Sequence, residues 1–256
     1  MKATLTVLGS GTSMGVPTIG CDCAVCTSAD ARDRRLRPSV LLEYADKHVL
    51  IDSTPDFREQ ALRAGIRKLD AVLYTHGHAD HILGLDDLRP LSFRHPGRLP
   101  LYANAHAARS LRETFGYIFD EANKYPSKAQ VELKPIDGAF ELFGARFEPV
   151  SVMHGDDEIH GFRFGSAAYL TDFSDIPAAS KPQLRGLDIL FLDALRRQPH
   201  PTHSTVENSL RLVEELAPKR AFFTHISHDL PHEETNASFP AHVRLAHDGL
   251  KLEFEI

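Results

Sequence analysis

Cysteine is scarce, with three residues in a chain of 256, and an odd trio makes a poor disulfide framework. Long apolar runs are absent: none approaches the roughly 20 residues that a membrane-spanning helix needs. A leader pattern is missing too, because Met1-Lys2-Ala3-Thr4-Leu5-Thr6-Val7-Leu8 alternates instead of passing from a charged start into an apolar stretch, so a cytoplasmic protein without membrane partners is expected. Cationic excess is lacking, since 29 Lys and Arg stand against 35 Asp and Glu for a formal charge of −6. That balance disfavours a nucleic-acid partner held by bulk electrostatics. No repeat, low-complexity tract or linker interrupts the sequence, and its 42% apolar and 25% charged content is that of a globular chain. A single domain over residues 1–256 is the expectation.

Short apolar segments that end in His or Asp are what the sequence offers instead. Ala3 to Leu8 reads as a strand stopped by Gly9-Ser10-Gly11, a tight turn without the spacing of a nucleotide loop. Val40–Tyr44 and His48–Ile51 flank Ala45-Asp46-Lys47 as a hairpin. Thr54 is the expected N-cap of a helix with Pro55 first and Gly65 closing it. Ala71–Tyr74 and Leu99–Ala103 read as strands, His106–Phe119 as a helical stretch, and residues 123–127 as a polar loop. Two further hairpins are expected, Phe140–Val152 turning at Gly144 and Gly161–Thr171 turning at Gly165-Ser166. Asp188–Leu192 is a buried strand, followed by a helix with capping-box spacing at Ser204 and Glu207 and a stripe of Val206, Leu210, Val213 and Ala217. Pro218 ends that helix, and Ala221–Phe223 is a last strand before His225. The pattern describes a layered sandwich of sheets flanked by helices, whose strand ends gather side chains around one cleft.

Metal chemistry is written most densely in His76-Gly77-His78-Ala79-Asp80-His81, where four metal-competent groups fall within six residues. A tight turn after a strand can aim His76 and His78 at one point and Asp80 and His81 at an adjacent one. The cysteines form Cys21-Asp22-Cys23-Ala24-Val25-Cys26. Three thiolates at that spacing suit a soft tetrahedral ion whose fourth ligand lies elsewhere.

At the histidine cluster the sequence resembles the metallo-β-lactamase-fold hydrolases, and the resemblance runs along nearly the whole chain. It implies an α+β fold, a four-layer αββα sandwich. It implies that His76, His78 and His154 hold one divalent ion, that Asp80, His81 and His225 hold another, and that Asp172 and a hydroxide bridge them. Zn, Mn or Fe suits such imidazole and carboxylate donors. Two divalent ions outweigh the two carboxylates and the hydroxide, so the centre is locally positive and suits an anionic phosphodiester better than a neutral amide. The opening Leu8–Ser13, Val16-Pro17, the cysteine trio and Arg37-Pro38-Ser39 resemble the PhnP family of phosphodiesterases. In that family the trio holds a structural zinc with a His three residues beyond the last active-site His, here His228. A His in the loop Pro199-His200-Pro201-Thr202-His203-Ser204 would assist phosphate binding or protonate the leaving group, His203 in first place and His200 as its alternate.

The implied activity is hydrolysis of a small cyclic phosphate, such as 5-phosphoribosyl 1,2-cyclic phosphate, by the bridging hydroxide. The partner is then a small phosphodiester, and a homodimer is a family expectation. A second phosphate would need a cation, for which Arg37, Arg58, Arg89 and Arg94 are candidates. Three rivals remain. A tRNA 3′-processing phosphodiesterase shares the seven ligands but matches less at the cysteines and carries an arm not seen here; a thioester or lactone hydrolase needs no His203. A PqqB-like non-hydrolytic zinc protein needs degenerate ligands, whereas all seven groups are present. His95, His106, His160, His242 and His247 read as loop or surface residues.

Overall fold

The structure, a computed structural model, describes residues 1–120 and 122–256. Strands β1 (Lys2–Gly9), β2 (Ser39–Tyr44), β3 (Lys47–Ile51), β4 (Ala71–Leu73), β5 (Leu99–Ala103) and β6 (Val131–Pro135) lie in that order in a first sheet. A second sheet holds β7 (Phe140–Leu142), β8 (Ala145–His154), β9 (Asp157–Phe164), β10 (Ala167–Tyr169), β11 (Ile189–Asp193), β12 (Arg220–Thr224) and β13 (Val243–Leu245). The chain then returns as β14 (Lys251–Glu255) to pair antiparallel with β1.

Alternation explains the layers. Leu5, Val7, Val40, Leu42, Val49 and Ile51 point from the first sheet into a cluster shared with Phe147, Phe162, Phe164, Ile189 and Phe191 of the second. Their neighbours Leu41, Leu50 and Val72 point the other way, against helices α1 (Phe57–Ala64), α2 (Ala79–Ile82), α3 (Arg89–Ser92), α4 (Ala105–Thr114) and α5 (Gly116–Phe119). On the far side, Val152, Leu190, Leu192 and Phe223 meet α6 (Val206–Leu216). The result is the expected helix–sheet–sheet–helix sandwich. Each fully buried Leu or Phe at these faces contributes about 1.5–3 kcal/mol. Among the described residues no helix is long and apolar enough to cross a membrane.

Strand direction positions the site. β3 to β6 run parallel, as do β10 to β13, and parallel pairs require crossovers, which here carry α1, α4, α6 and α7 (His232–Ala237). All C-terminal ends of a parallel run lie at one edge of its sheet. β8, antiparallel to β9, which is antiparallel to β10, ends at that edge as well.

Several local expectations are corrected. Asp56, not Thr54, precedes α1, and Pro55 lies outside the helix; Thr54 Oγ1 instead accepts a hydrogen bond from the Asp56 amide at 3.1 Å. Thr205, not Ser204, caps α6, its hydroxyl accepting from the Asn208 amide at 3.1 Å. Ser204 is buried against the Ser209 hydroxyl at 2.8 Å. The buried face of α6 is Val206, Ser209, Leu212, Val213 and Leu216, so Leu210 is only partly covered and Ala217 is the left-handed C-cap. The stretch 106–119 is two helices, broken at Phe115. His160 is no loop residue but sits within β9, its amide donating to the Thr75 carbonyl at 3.1 Å.

Candidate metal centre

Three residues just beyond strand ends adopt left-handed backbone: Asp52 after β3 (φ 64°), Asp172 after β10 (φ 56°) and His225 after β12 (φ 57°). Such a conformation is unfavourable for residues with a Cβ and clusters at functional sites. Here it turns each side chain back over the sheet edge. The Tyr74-to-His78 turn after β4 delivers His76 and His78, and the short α2 delivers Asp80 and His81 from one turn of helix.

Two donor sets result. His76, His78 and His154 form one, and Asp80, His81, Asp172 and His225 the other, each with its ligand atoms within 4.8 Å of one another. Asp172 spans both, lying 3.2 Å from His81 Nε2, 3.1 Å from His225 Nε2 and 3.9 Å from His76 Nε2. His76 Nε2, His81 Nε2, His225 Nε2 and Asp80 Oδ2 are buried without a hydrogen-bond partner. Four orphaned atoms facing one another are costly unless a cation completes them, and imidazole with carboxylate is a donor set for Zn, Mn or Fe. The residues therefore fit two divalent ions.

A surrounding layer fixes which ring nitrogen faces inward. His81 Nδ1 donates to Asp52 Oδ2 at 2.7 Å, and Asp52 also accepts from the Thr75 amide at 2.9 Å and the Thr75 hydroxyl at 2.8 Å. With its proton given to Asp52, the Thr75 oxygen accepts from His76 Nδ1 at 3.0 Å. His154 Nδ1 donates to the Thr202 carbonyl at 2.9 Å. In each case the Nε2 lone pair is left for the centre.

Charge follows from this packing. Burial opposes a charged His81, but Asp172, Asp80 and Asp52 outweigh it and hold its pKa well above the ordinary value. His225 is raised in the same way to about 10, burial being overcome by Asp172. Asp172 itself, despite burial, is held well below the carboxylate range by His225 and His81. Protons on these rings occupy the electrostatic role of the cations that the donors fit.

His203 lies beside the centre, grouped with His154 and Asp172 on one side and with Asp193 and His225 on the other. Its Nδ1 donates to the buried Asp193 Oδ2 at 2.7 Å, and its ring stacks on His225 with centroids 4.5 Å apart. Burial, then His225, lowers its pKa to about 4, while burial raises Asp193 well above its usual range. His200 stands outside, its ring 4.9 Å from that of His203 and its Nδ1 accepting from the Thr202 amide at 3.3 Å.

The cysteines form a separate cluster. Cys21, Cys23 and Cys26 place their sulfurs 3.2, 3.4 and 3.4 Å from His228 Nδ1. The Cys26 amide donating to Cys23 lowers that thiol to about 6, whereas burial raises Cys26 to about 11. Three thiols and one imidazole around a point fit a tetrahedral zinc with no open position. Arg35, fully buried, ties the His228 loop down through the Ser227 carbonyl at 2.7 Å, the Leu230 carbonyl at 2.6 Å and Asp33 at 2.9 Å.

The structure thus brings together His76, His78, Asp80, His81, His154, Asp172, His225 and His203, and separately Cys21, Cys23, Cys26 and His228. It does not bring the four arginines to them. Arg37 pairs with Asp56 and Arg89 with Asp86, while Arg58 and Arg94 line a cavity of about 330 Å³ between α1 and α3. Asp52 and Asp193 were not anticipated, although both end apolar strands, Val49-Leu50-Ile51-Asp52 and Leu190-Phe191-Leu192-Asp193, in the manner that marks the other site residues.

Comparison with known proteins places the family and the fold. The beta-lactamase superfamily domain matches residues 47–226. A crystal structure described as a new diphosphatase from the PhnP family is 67% identical, with a TM-score of 0.94 and coverage of 99% of this chain and 98% of that one. Zn(2+)-bound PqqB from Methylobacterium extorquens has a TM-score of 0.78 at 23% identity, covering 97% and 99% of the two chains, and shares the fold. An octanoyltransferase of Porphyromonas gingivalis (strain ATCC BAA-308 / W83) is 41% identical over 251 residues, 96% of this chain and 50% of that protein. The chain spans half the length of that curated relative.

Proposed function

The chain belongs to the beta-lactamase superfamily and to its PhnP family, and on that premise we propose that it is a metal-dependent phosphodiesterase that opens a small cyclic phosphate, such as 5-phosphoribosyl 1,2-cyclic phosphate. The observation that carries the reading is the pair of donor sets sharing Asp172, with an Asp193-oriented His203 at their border. His76, His78 and His154 would hold one divalent ion, Asp80, His81 and His225 the other, with Asp172 between them. Such ions supply Lewis-acid polarisation of the phosphoryl oxygens and offset the charge that develops there. Asp52 and Thr75 keep His81 and His76 in the tautomer that presents Nε2. His203, with Nδ1 engaged by Asp193, presents Nε2 without a proton at neutral pH, so it would take one from the attacking water and return it to the leaving oxygen. Overall, the oxygen of water bonds to phosphorus, the bond from phosphorus to one sugar oxygen breaks, and that oxygen takes a proton, so the cyclic diester becomes a monoester on one ring-opened product.

The octanoyltransferase match favours a second reading, hydrolysis of an acyl ester or thioester at the same centre. One experiment separates the two. Wild type, Asp80→Ala and Cys23→Ser are assayed for metal content by elemental analysis and for turnover of bis(p-nitrophenyl) phosphate, small cyclic phosphates and an octanoyl thioester. The expected result is about three metal ions per wild-type chain, one fewer in Cys23→Ser, and diester turnover that Asp80→Ala abolishes. Thioester turnover without diester turnover, or full diester activity in Asp80→Ala, overturns the phosphodiesterase reading.

A further inference from the structure

Asp172 reaches both donor sets, and its two oxygens face different neighbours. Oδ2 lies 3.1 Å from His225 Nε2 and 3.9 Å from His76 Nε2, one imidazole from each set. Oδ1 lies 3.2 Å from His81 Nε2, in the second set, and accepts a hydrogen bond of 2.6 Å from the Thr171 hydroxyl. We propose that Thr171 is a positioning residue of the metal centre, whose hydroxyl occupies Oδ1 and so keeps Oδ2 as the oxygen that two ions share. The inference rests on the pair of ions in the reading above, not on its substrate, and deepens that reading.

Nothing in a carboxylate alone decides between bridging two ions and gripping one with both oxygens, because its terminal torsion turns through a broad well. At this centre the surroundings favour gripping one. The second set presents two imidazoles to Asp172, at 3.2 and 3.1 Å, and the first presents one at 3.9 Å. Yet the second set already has a carboxylate in Asp80, whereas the first holds three imidazoles and no anion. An Asp172 that turned wholly to the second set would leave the first ion on neutral rings alone. A hydroxyl bound to Oδ1 opposes that turn in two ways: it fixes the plane of the carboxylate, and it uses lone-pair capacity that Oδ1 would otherwise offer a metal.

Thr171 is built for such a part. It is fully buried, so bulk water does not stand in for its hydroxyl. A β-branched side chain has few χ1 choices, which holds the hydroxyl in place. The strand before it, β10, is paired on both sides, and the Leu170 amide donates to the Phe191 carbonyl at 3.1 Å. Asp172 follows at once in left-handed backbone, φ 56°. Thr171 thereby completes a pattern, since His81 has Asp52 and His76 has Thr75 as the partner that fixes its orientation.

The test loads wild type, Thr171→Val and Thr171→Ser with Mn(2+), dialyses each against a graded series of chelator, and reads the ions by elemental analysis and electron paramagnetic resonance. Valine keeps the shape of the side chain and removes the donor. In Thr171→Val one of the two histidine-held ions should bind about 10–100-fold more weakly with the other unmoved, and the spectrum of two coupled Mn ions should give way to that of an isolated one. Thr171→Ser, which returns the hydroxyl, should restore the coupled pair. A merely structural role would weaken both ions together and would not be rescued by serine. Thermal melting checks folding, with Thr171→Ala taking the place of the valine variant if that one does not fold. Two ions at wild-type affinity in the folded variant, or equal weakening of both, overturns this inference alone. Wild type that holds at most one ion at the histidines overturns the two-ion reading, and the inference with it.

Discussion

Removing His203 should damage catalysis in proportion to how badly the leaving oxygen needs a proton. Its imidazole is anchored by one hydrogen bond, 2.7 Å from Nδ1 to the fully buried Asp193, and its side chain is 12% exposed. A positioned acid or base contributes about 10²–10⁴-fold to rate. His203→Ala should therefore cost about that much on an alkyl cyclic phosphate, and far less on bis(p-nitrophenyl) phosphate, whose phenolate leaves without protonation. Burial holds the Asp193 carboxyl well above its usual range, so Asp193→Asn exchanges one uncharged partner of Nδ1 for another and should cost no more than about 1 kcal/mol, or roughly fivefold, on the alkyl substrate. Because Asp193 acts through His203, the double variant should be no slower than His203→Ala alone. Steady-state kinetics on both substrates, with metal content checked in every variant, reads this out. Equal losses on the two substrates, or fully additive losses in the double variant, would refute the assignment of a proton-handling role.

Two further outcomes follow from groups away from the centre. Arg35→Met strands the buried Asp33 carboxylate and the carbonyls of Ser227 and Leu230, so urea unfolding should show a loss of about 3–5 kcal/mol; a loss below about 1 kcal/mol would contradict the role given to that pair. Burial, with Arg32 and then Arg35 nearby, lowers His232 to about 4 from 6.5, so between those values the unfolded chain binds the extra proton. The stability this gives is complete above about pH 6.5 and drains away toward pH 4, in total about 2–3 kcal/mol. His232→Gln should flatten the difference in unfolding free energy between pH 7 and 5, and an unchanged slope would sink the idea.

Local chemistry made much of this site legible in the sequence. The density of donors in six residues singles out His76 to His81, whereas His154, Asp172 and His225, each a lone polar residue at a strand end, are picked out only by the resemblance to the metallo-β-lactamase-fold hydrolases; the strand Leu99–Ala103 and the turn at Ala45-Asp46 follow from alternation alone. Asp52 and Asp193 likewise stand at strand ends, yet a single Asp there is indistinguishable from a turn residue until its histidine partner, 29 or 10 positions later, is seen beside it. The pairing of β14 with β1 joins the two ends of the chain, which no short window can reveal. β6 carries Glu132, Lys134 and Pro135 on an exposed sheet edge, so it lacks the apolar signature of its neighbours. The cap of α6 moved by one residue because Ser204 found the Ser209 hydroxyl instead of a backbone amide.

The left-handed backbone at Asp172 and His225 sets folding and activity against each other at two points of the chain. Each costs on the order of 1 kcal/mol relative to a residue without a Cβ, and each brings a titratable group into a buried space where it needs a partner of opposite charge. Drift under selection for thermal robustness alone, in a metal-poor setting, would favour glycine at these positions and erase the centre. A glycine at either position would ease the backbone and remove a donor in the same stroke, so stability and the site pull these two positions in opposite directions.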